Sequence, residues 1–146
     1  MVPPEIFLRN FQRKIRLNVA ELQTFATKAL RCCLQLRSPQ STNLKKLNEI
    51  FVWLISDRRM ASLHRRFMHQ PGPTDVLTFQ HGEIFISVET AKRHARAFGN
   101  SLTRELCLYI AHALLHLHGF DDRTSAAARK MEAMQNNIVD NCGPHR

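Results

Sequence analysis

The sequence predicts one domain built from both helices and strands. Its 146 residues are the length of a single domain able to bury roughly two-thirds of the surface its unfolded form exposes. Some segments carry apolar residues at helical spacing, and others are short β-branched or aromatic runs bounded by turn residues. No repeat, linker or second core interrupts them, so residues 1–146 are expected to share one core.

Glu5 to Arg9, after Pro3 and Pro4, is a short apolar stretch that can start a strand. Val19 to Leu36 carries Leu22, Phe25, Ala26, Ala29 and Leu30 at helical spacing and reads as an amphipathic helix. A turn cluster from Ser38 to Asn43 precedes Leu47 to Ile55, where Ile50, Phe51, Val52, Trp53 and Ile55 have the content of a buried strand. Asp57 to Met68 returns to helix, and Gln70 to Pro73 breaks it. Val76 to Phe79 and Glu83 to Ser87 flank Gln80, His81 and Gly82 and are expected to pair as a hairpin.

Val88 to Phe98 is a helix ended by Gly99, and Ser101 caps a further helix from about Leu102 to His118, stopped by Gly119. Between Leu106 and Leu117 nearly every side of that helix is apolar, which predicts a position packed inside the domain. Thr124 to Val139 forms a last helix with Ala127, Met131, Met134 and Ile138 inward, and the tail NCGPHR is expected to fray.

Lysines and arginines outnumber aspartates and glutamates by 21 to 12, a formal charge of +9, which favours polyanionic partners through phosphate contacts and counterion release. Aromatic residues make up 8% of the chain, so stacking groups for nucleic-acid bases look scarce. Cys32, Cys33, Cys107 and Cys142 form no CxxC pair and read as reduced thiols. The apolar run Ile50 to Ile55 is too short to span a bilayer and the start MVPPEIF lacks a signal region, so a cytoplasmic setting without membrane association is expected.

Two helical histidines stand out. His112 and His116 lie four residues apart, which stacks them on one helix face where two imidazoles can grip one ion. Gly119 lets the chain leave the helix in a left-handed conformation and swing Asp122 back towards the same ion, giving the pattern HxxxHxxGxxD. This parallels the HExxHxxGxxH arrangement of the metzincin proteases, with Asp in the third place. Two histidines and a carboxylate leave a coordination position for water, as catalytic sites require. Ala113 stands where zinc peptidases carry the glutamate that takes a proton from water, which disfavours peptide hydrolysis.

Three segments in order, PTDVLTF (73–79), GEIFIS (82–87) and HALLHLHGFDD (112–122), resemble the PTDVLSF, GDIxIS and HGxLHLxGYDH signatures of the YbeY endoribonucleases. The resemblance runs from Leu47 to about Ile138. It implies a single α+β domain with a small mixed sheet, a zincin-like metal site on a central helix, and metal-dependent cleavage of single-stranded RNA. It also implies roles in small-subunit (16S) rRNA maturation and ribosome quality control, with rRNA, the small ribosomal subunit and ribosome-associated proteins as partners. One Zn²⁺ is the expected cofactor, and nickel, iron or manganese would suit the same donors.

The chain departs from the family pattern at two places. The family's third ligand is a histidine where this chain has Asp122; Asp121 and His118 are the alternatives, and Asp122 is preferred because His118 lies about 200° around the helix from His116. The family's phosphate-steadying arginine aligns with Met68, after Phe67, so the role is assigned to Arg66, with Arg65 beside it and a solvated basic face shared with Arg58, Arg59 and His64 as the plain alternative. Asp75, Thr74 and Glu83 are expected to serve structure, and Lys92, Arg93, Arg96 and Arg104 to edge a groove for the RNA backbone. The rival readings are a non-catalytic, metal-stabilised ribosome-assembly or RNA-binding module and, less well supported, a metallopeptidase.

Overall fold

A computed structural model describes residues 2–41, 43–68 and 75–144. The expected break at 70–73, the first two residues of the 73–79 motif and the last two of the tail lie outside these.

Four strands form one sheet in the order β1-β2-β4-β3, with β1 at Glu5–Asn10, β2 at Glu49–Ile55, β3 at Val76–Phe79 and β4 at Glu83–Ser87. The pairs β1/β2 and β2/β4 are parallel and β3/β4 is antiparallel. Parallel neighbours need a crossover, and helix α1 (Val19–Leu34) and helix α2 (Asp57–Met68) lie in the two connections. Three further helices follow, α3 (Val88–Phe98), α4 (Leu102–Leu117) and α5 (Ser125–Cys142). The architecture is the α+β arrangement with a small mixed sheet that the sequence predicts.

Strand alternation sends Ile6, Leu8, Ile50, Val52, Leu54, Ile84 and Ile86 to one face, where they are buried in the main core with α1 and α4. Phe7, Phe51, Trp53, Phe85, Leu77 and Phe79 point the other way. There α2 covers the β4 side, and its Met60 and Leu63 pack with Ile55, Leu77, Trp53 and Phe85 in a second, smaller core. The hairpin turn needs Gly82: its φ is +110°, and a Cβ there would meet the Glu49 carbonyl oxygen at 2.7 Å.

The two sheet edges are treated differently. On β1, the Gln23 side chain of α1 accepts from the Leu8 amide at 2.8 Å and donates to the Ile6 carbonyl at 2.9 Å, closing main-chain groups that would otherwise await a strand. On the opposite side, β3 forms a wall of the main cleft.

Helix α4 is the axle of the molecule. Leu106, Cys107, Ile110, Ala111, Ala113, Leu114 and Leu115 are all fully buried, as its near-continuous apolar sequence requires. Some boundaries differ from expectation. α1 stops at Leu34 rather than Leu36, because the amides of Gln35 and Leu36 turn back to Cys32 and Cys33. β2 begins at Glu49 because a 3-10 turn, Leu44–Lys46, capped by the Asn43 side chain, occupies the approach.

The last helix continues past Val139 to Cys142, so Asn141 and Cys142 do not fray. Gly143 donates to the Val139 carbonyl, and the Cys142 sulfur lies 3.1 Å from that of Cys32, which ties this end to α1. All four cysteines are free thiols. Among the described residues no helix is long and apolar enough to cross a membrane.

Candidate metal centre

Glu105, Tyr109, His112 and His116 follow one another along α4 at steps of four, three and four, and therefore share one face. That face lines a cleft of about 900 Å³. The strand wall from Asp75 to Gln80 stands opposite, with His94 and Phe98 of α3 and Glu132, Gln135 and Asn136 of α5 completing the rim.

Within the cleft the Nε2 atoms of His112 and His116 face each other at 3.1 Å. The other nitrogen of each ring is already engaged. His116 Nδ1 lies 3.1 Å from the Phe120 carbonyl oxygen, and His112 Nδ1 lies 2.9 Å from Gln135 Oε1. A carbonyl oxygen only accepts, so each Nδ1 is placed to donate, which leaves each Nε2 to turn its lone pair towards the other. Two converging lone pairs repel unless a cation lies between them.

Asp122 supplies the matching charge: its Oδ2 lies 3.8 Å from His112 Nε2 and its Oδ1 4.0 Å from His116 Nε2. All three donors lie within 4.8 Å of one another. A tetrahedral zinc site with bonds of about 2.0–2.1 Å places its nitrogens roughly 3.3 Å apart, so the histidine pair fits and the carboxylate needs only a short approach.

The chain's local geometry explains how three donors meet. After α4 ends, the Gly119 amide donates to the His116 carbonyl and the Phe120 amide to the Leu115 carbonyl, a Schellman closure with φ of 103° at Gly119. That turn presents the Phe120 carbonyl to His116 and doubles the chain back at Asp122. Asp121, the neighbouring carboxylate, accepts from the Arg123 amide at 3.1 Å and is not part of the cluster. His118 is 1% exposed; its Nε2 lies 2.7 Å from the Leu36 carbonyl, and its Nδ1 accepts from the Leu44 amide at 3.4 Å. It joins loops on the far side of the helix.

Burial, reinforced by the nearby His112, holds the His116 imidazole below its ordinary pKa against the opposing pull of Asp122, the Phe120 carbonyl and Asp121. The neutral ring is thereby favoured, which is the form a metal ligand needs.

Other residues singled out by sequence are placed as follows. Arg66 is exposed on the last turn of α2 and is not among the described residues lining the cleft. Glu83 accepts from Trp53 Nε1 at 2.9 Å and pairs with His81, a structural role as expected. Asp75 accepts from the Val76 amide and its carbonyl receives the Ser87 amide, which fixes the start of β3 in the cleft wall. The basic groove expected from Lys92, Arg93, Arg96 and Arg104 does not line the cleft. Arg93 is instead paired with Asp57 at 2.8 Å and Arg104 with Asp140 at 3.0 Å.

Sequence reasoning missed Gln135, Tyr109 and His94. Tyr109 and His94 share a 2.6 Å hydrogen bond at the cleft. Burial, then the charges of Asp75 and Glu105, push the Tyr109 hydroxyl up, so it stays protonated. Tyr109 was findable as the residue three before His112 on the same helix face; His94 and Gln135 belong to other helices and carry no local signal.

Comparison with known proteins agrees with this geometry. The family model "Endoribonuclease YbeY" matches residues 7–143. The chain belongs to the YbeY endoribonuclease family. It is 36% identical over 117 residues to the Endoribonuclease YbeY of Moorella thermoacetica, covering 67% of this chain and 75% of that protein. It is 31% identical over 144 residues to the Chlamydia pneumoniae YbeY, covering 88% and 91%. The fold is similar to the solution structure of TM1509 from Thermotoga maritima, with a TM-score of 0.62 at 23% identity over 93% of this chain and 90% of that one. Within this YbeY chain the donors His112, His116 and Asp122 form a group able to hold a metal ion.

Proposed function

We propose that the chain is a metal-dependent endoribonuclease that cuts single-stranded RNA in the cytoplasm, in maturation of small-subunit (16S) rRNA and in ribosome quality control. The observation that carries this reading is the pair of imidazole lone pairs converging with a carboxylate inside an open cleft, in a chain of the YbeY family. His112, His116 and Asp122 are the proposed ligands of one zinc ion or another divalent transition metal. Such an ion supplies Lewis-acid polarisation of a phosphoryl oxygen and acidifies a bound water.

The protein's own groups provide the rest. Gln135 and the Phe120 carbonyl hold the two imidazoles with Nε2 directed inward. The Tyr109 hydroxyl, held by His94, offers a donor at the cleft wall for a phosphate oxygen. Ala113 in place of a carboxylate favours a phosphodiester over a peptide as substrate. Arg66 is proposed to offset charge on the scissile phosphate: α2 ends at Met68 and the cleft wall begins at Asp75, which keeps this helix end close in sequence to the site. Its replacement by Ala should lower kcat more than it raises KM. The partners proposed are rRNA in the small subunit and ribosome-associated proteins.

The test is metal stoichiometry and cleavage of single-stranded rRNA fragments, measured together on the intact chain and on His116→Ala. The expected result is one ion per chain and cutting, both lost in the variant. An intact chain that binds metal and RNA but never cuts would instead be a metal-stabilised assembly module.

A further inference from the structure

The sequence suggests few aromatic groups for stacking, yet the fold gathers six of them on one face of the sheet. Ring centroids follow at 5.5 Å from Phe7 to Phe51, 5.4 Å to Trp53, 6.4 Å to Phe85 and 5.7 Å to Phe79. Phe11 lies 5.3 Å from Trp53 and is 55% exposed. At one end Phe79 lines the cleft, and there α2 covers the strip, with Trp53, Phe79 and Phe85 packed in the smaller core. At the other end Phe7 and Phe51 are half-buried and, among the described residues, belong to neither core cluster. These rings stack on each other and on Trp53 yet keep part of their faces open to solvent, an exposed apolar patch of the kind that ligands use.

The surroundings say what kind of ligand. Arg9 lies on the same face with its guanidinium 5.7 Å from the Phe7 ring. Arg13 and Arg16, both exposed, follow Phe11. On α2, which covers the β4 side of this face, Arg58, Arg59, Arg65 and Arg66 are exposed. Among the described strand residues the acidic groups on this face are Glu5 and Glu49, which sit opposite each other where β1 and β2 begin, and Glu83, which is held by Trp53 and His81, while Asp57 of α2 is taken up by Ser87, Thr90 and Arg93. Open rings with Arg9 beside them and further exposed arginines on the neighbouring segments match a single-stranded nucleic acid, whose bases stack while its phosphates meet cations. An apolar protein partner would leave those arginines unmatched.

We propose that the part of this strip that α2 leaves open, Phe11, Phe7 and Phe51 beside Trp53, is a stacking track for single-stranded RNA on the outer face of β1 and β2. The proposal rests on the RNA reading above and extends it to a second surface. It assigns Phe11, Phe7 and Phe51 to substrate binding and gives Arg9 a place beside the phosphates.

Trp53 is the only tryptophan in the chain, so its fluorescence reports directly on the strip. The full metal-loaded chain is titrated with a 2′-O-methyl oligouridine of roughly 12 nucleotides, a length within the site sizes of such surfaces, whose integrity at the end of the titration is checked on a denaturing gel. Binding is followed by Trp53 emission and independently by anisotropy of an end-labelled copy. Saturable quenching is expected, with the affinity falling roughly tenfold in Phe11→Ala and in Phe51→Leu while metal content and Tm hold. Phe11 is largely exposed, so its variant keeps the test valid if Phe51→Leu disturbs the sheet.

Binding seen by anisotropy with no change in Trp53 emission and no loss in either variant would overturn the track and leave the RNA reading standing. Absence of any binding would overturn both. Emission that changes with protein concentration and not with RNA would overturn the track in favour of a second copy of the chain covering this face.

Discussion

His112 and His116 illustrate how much of a site a single helix can specify. Their four-residue spacing and the glycine three residues on are local facts, so the pair and Asp122 were readable from sequence before any tertiary contact was known. Gln135 was not, because its approach to His112 is made by α5 packing on α4, a contact 23 residues away along the chain. Replacing Gln135 with Leu should leave the fold intact and weaken metal affinity by about 10- to 100-fold, measured by competition with a chelating dye. Gly119→Ala places a side chain at φ of 103°. It should cost about 1–3 kcal/mol in denaturant titrations and lower metal occupancy, since the same turn aims both the Phe120 carbonyl and Asp122. Full metal occupancy in Gly119→Ala would show that the turn does not set the ligand geometry.

At the scale of elements, Asp57 shows how α2, β4 and α3 are joined. Burial raises the pKa of its carboxyl, but the hydrogen bonds donated by Ser87, Thr90 and Arg93, with the Arg93 charge, outweigh that and hold it below the ordinary 3.8. A depressed folded-state value means that the unfolded chain takes up the proton first. The stabilisation is therefore fully present above the unfolded value and disappears as pH falls through the folded one. Urea midpoints measured across the acid range should drop more steeply for the native chain than for Asp57→Asn; parallel curves would remove Asp57 from the acid response.

Periodicity located the α-helices and strands among the described residues but not the 3-10 turn at Leu44–Lys46, because amphipathic spacing and β-branched runs are properties of longer windows than one turn. It misjudged ends at Leu36 and Val139, where the stop is set by a backbone turn on Cys32 and Cys33 and by packing of Cys142 on α1. The role of Arg93 was misjudged for the same reason: its partner Asp57 begins a helix three elements earlier.

For the molecule as a whole, α4 is at once the centre of the main core and the carrier of the histidine pair. Metal binding should therefore stabilise the entire fold by mass action. A chelator is expected to lower Tm cooperatively, and added Zn²⁺ to restore it; an unchanged Tm alongside demonstrated metal loss would mean that the ion is thermodynamically separate from the core. The sheet order and the aromatic strip were not legible in advance, since which strands pair is settled by contacts between distant segments. Phe51 and Trp53 read only as buried strand content, and Phe7 only as part of a short apolar stretch, until β1 and β2 were seen to lie in register.

Gln23 decides where this sheet can grow. With its amide occupying the outer rim of β1, a foreign extended segment, whether from a misfolded copy or from another polypeptide, finds its opening at β3, in the wall of the cleft. Polymerisation through the sheet and access to the metal ligands thus compete for the same rim. Any fibrillar or strand-swapped form built that way would hide its own catalytic groove.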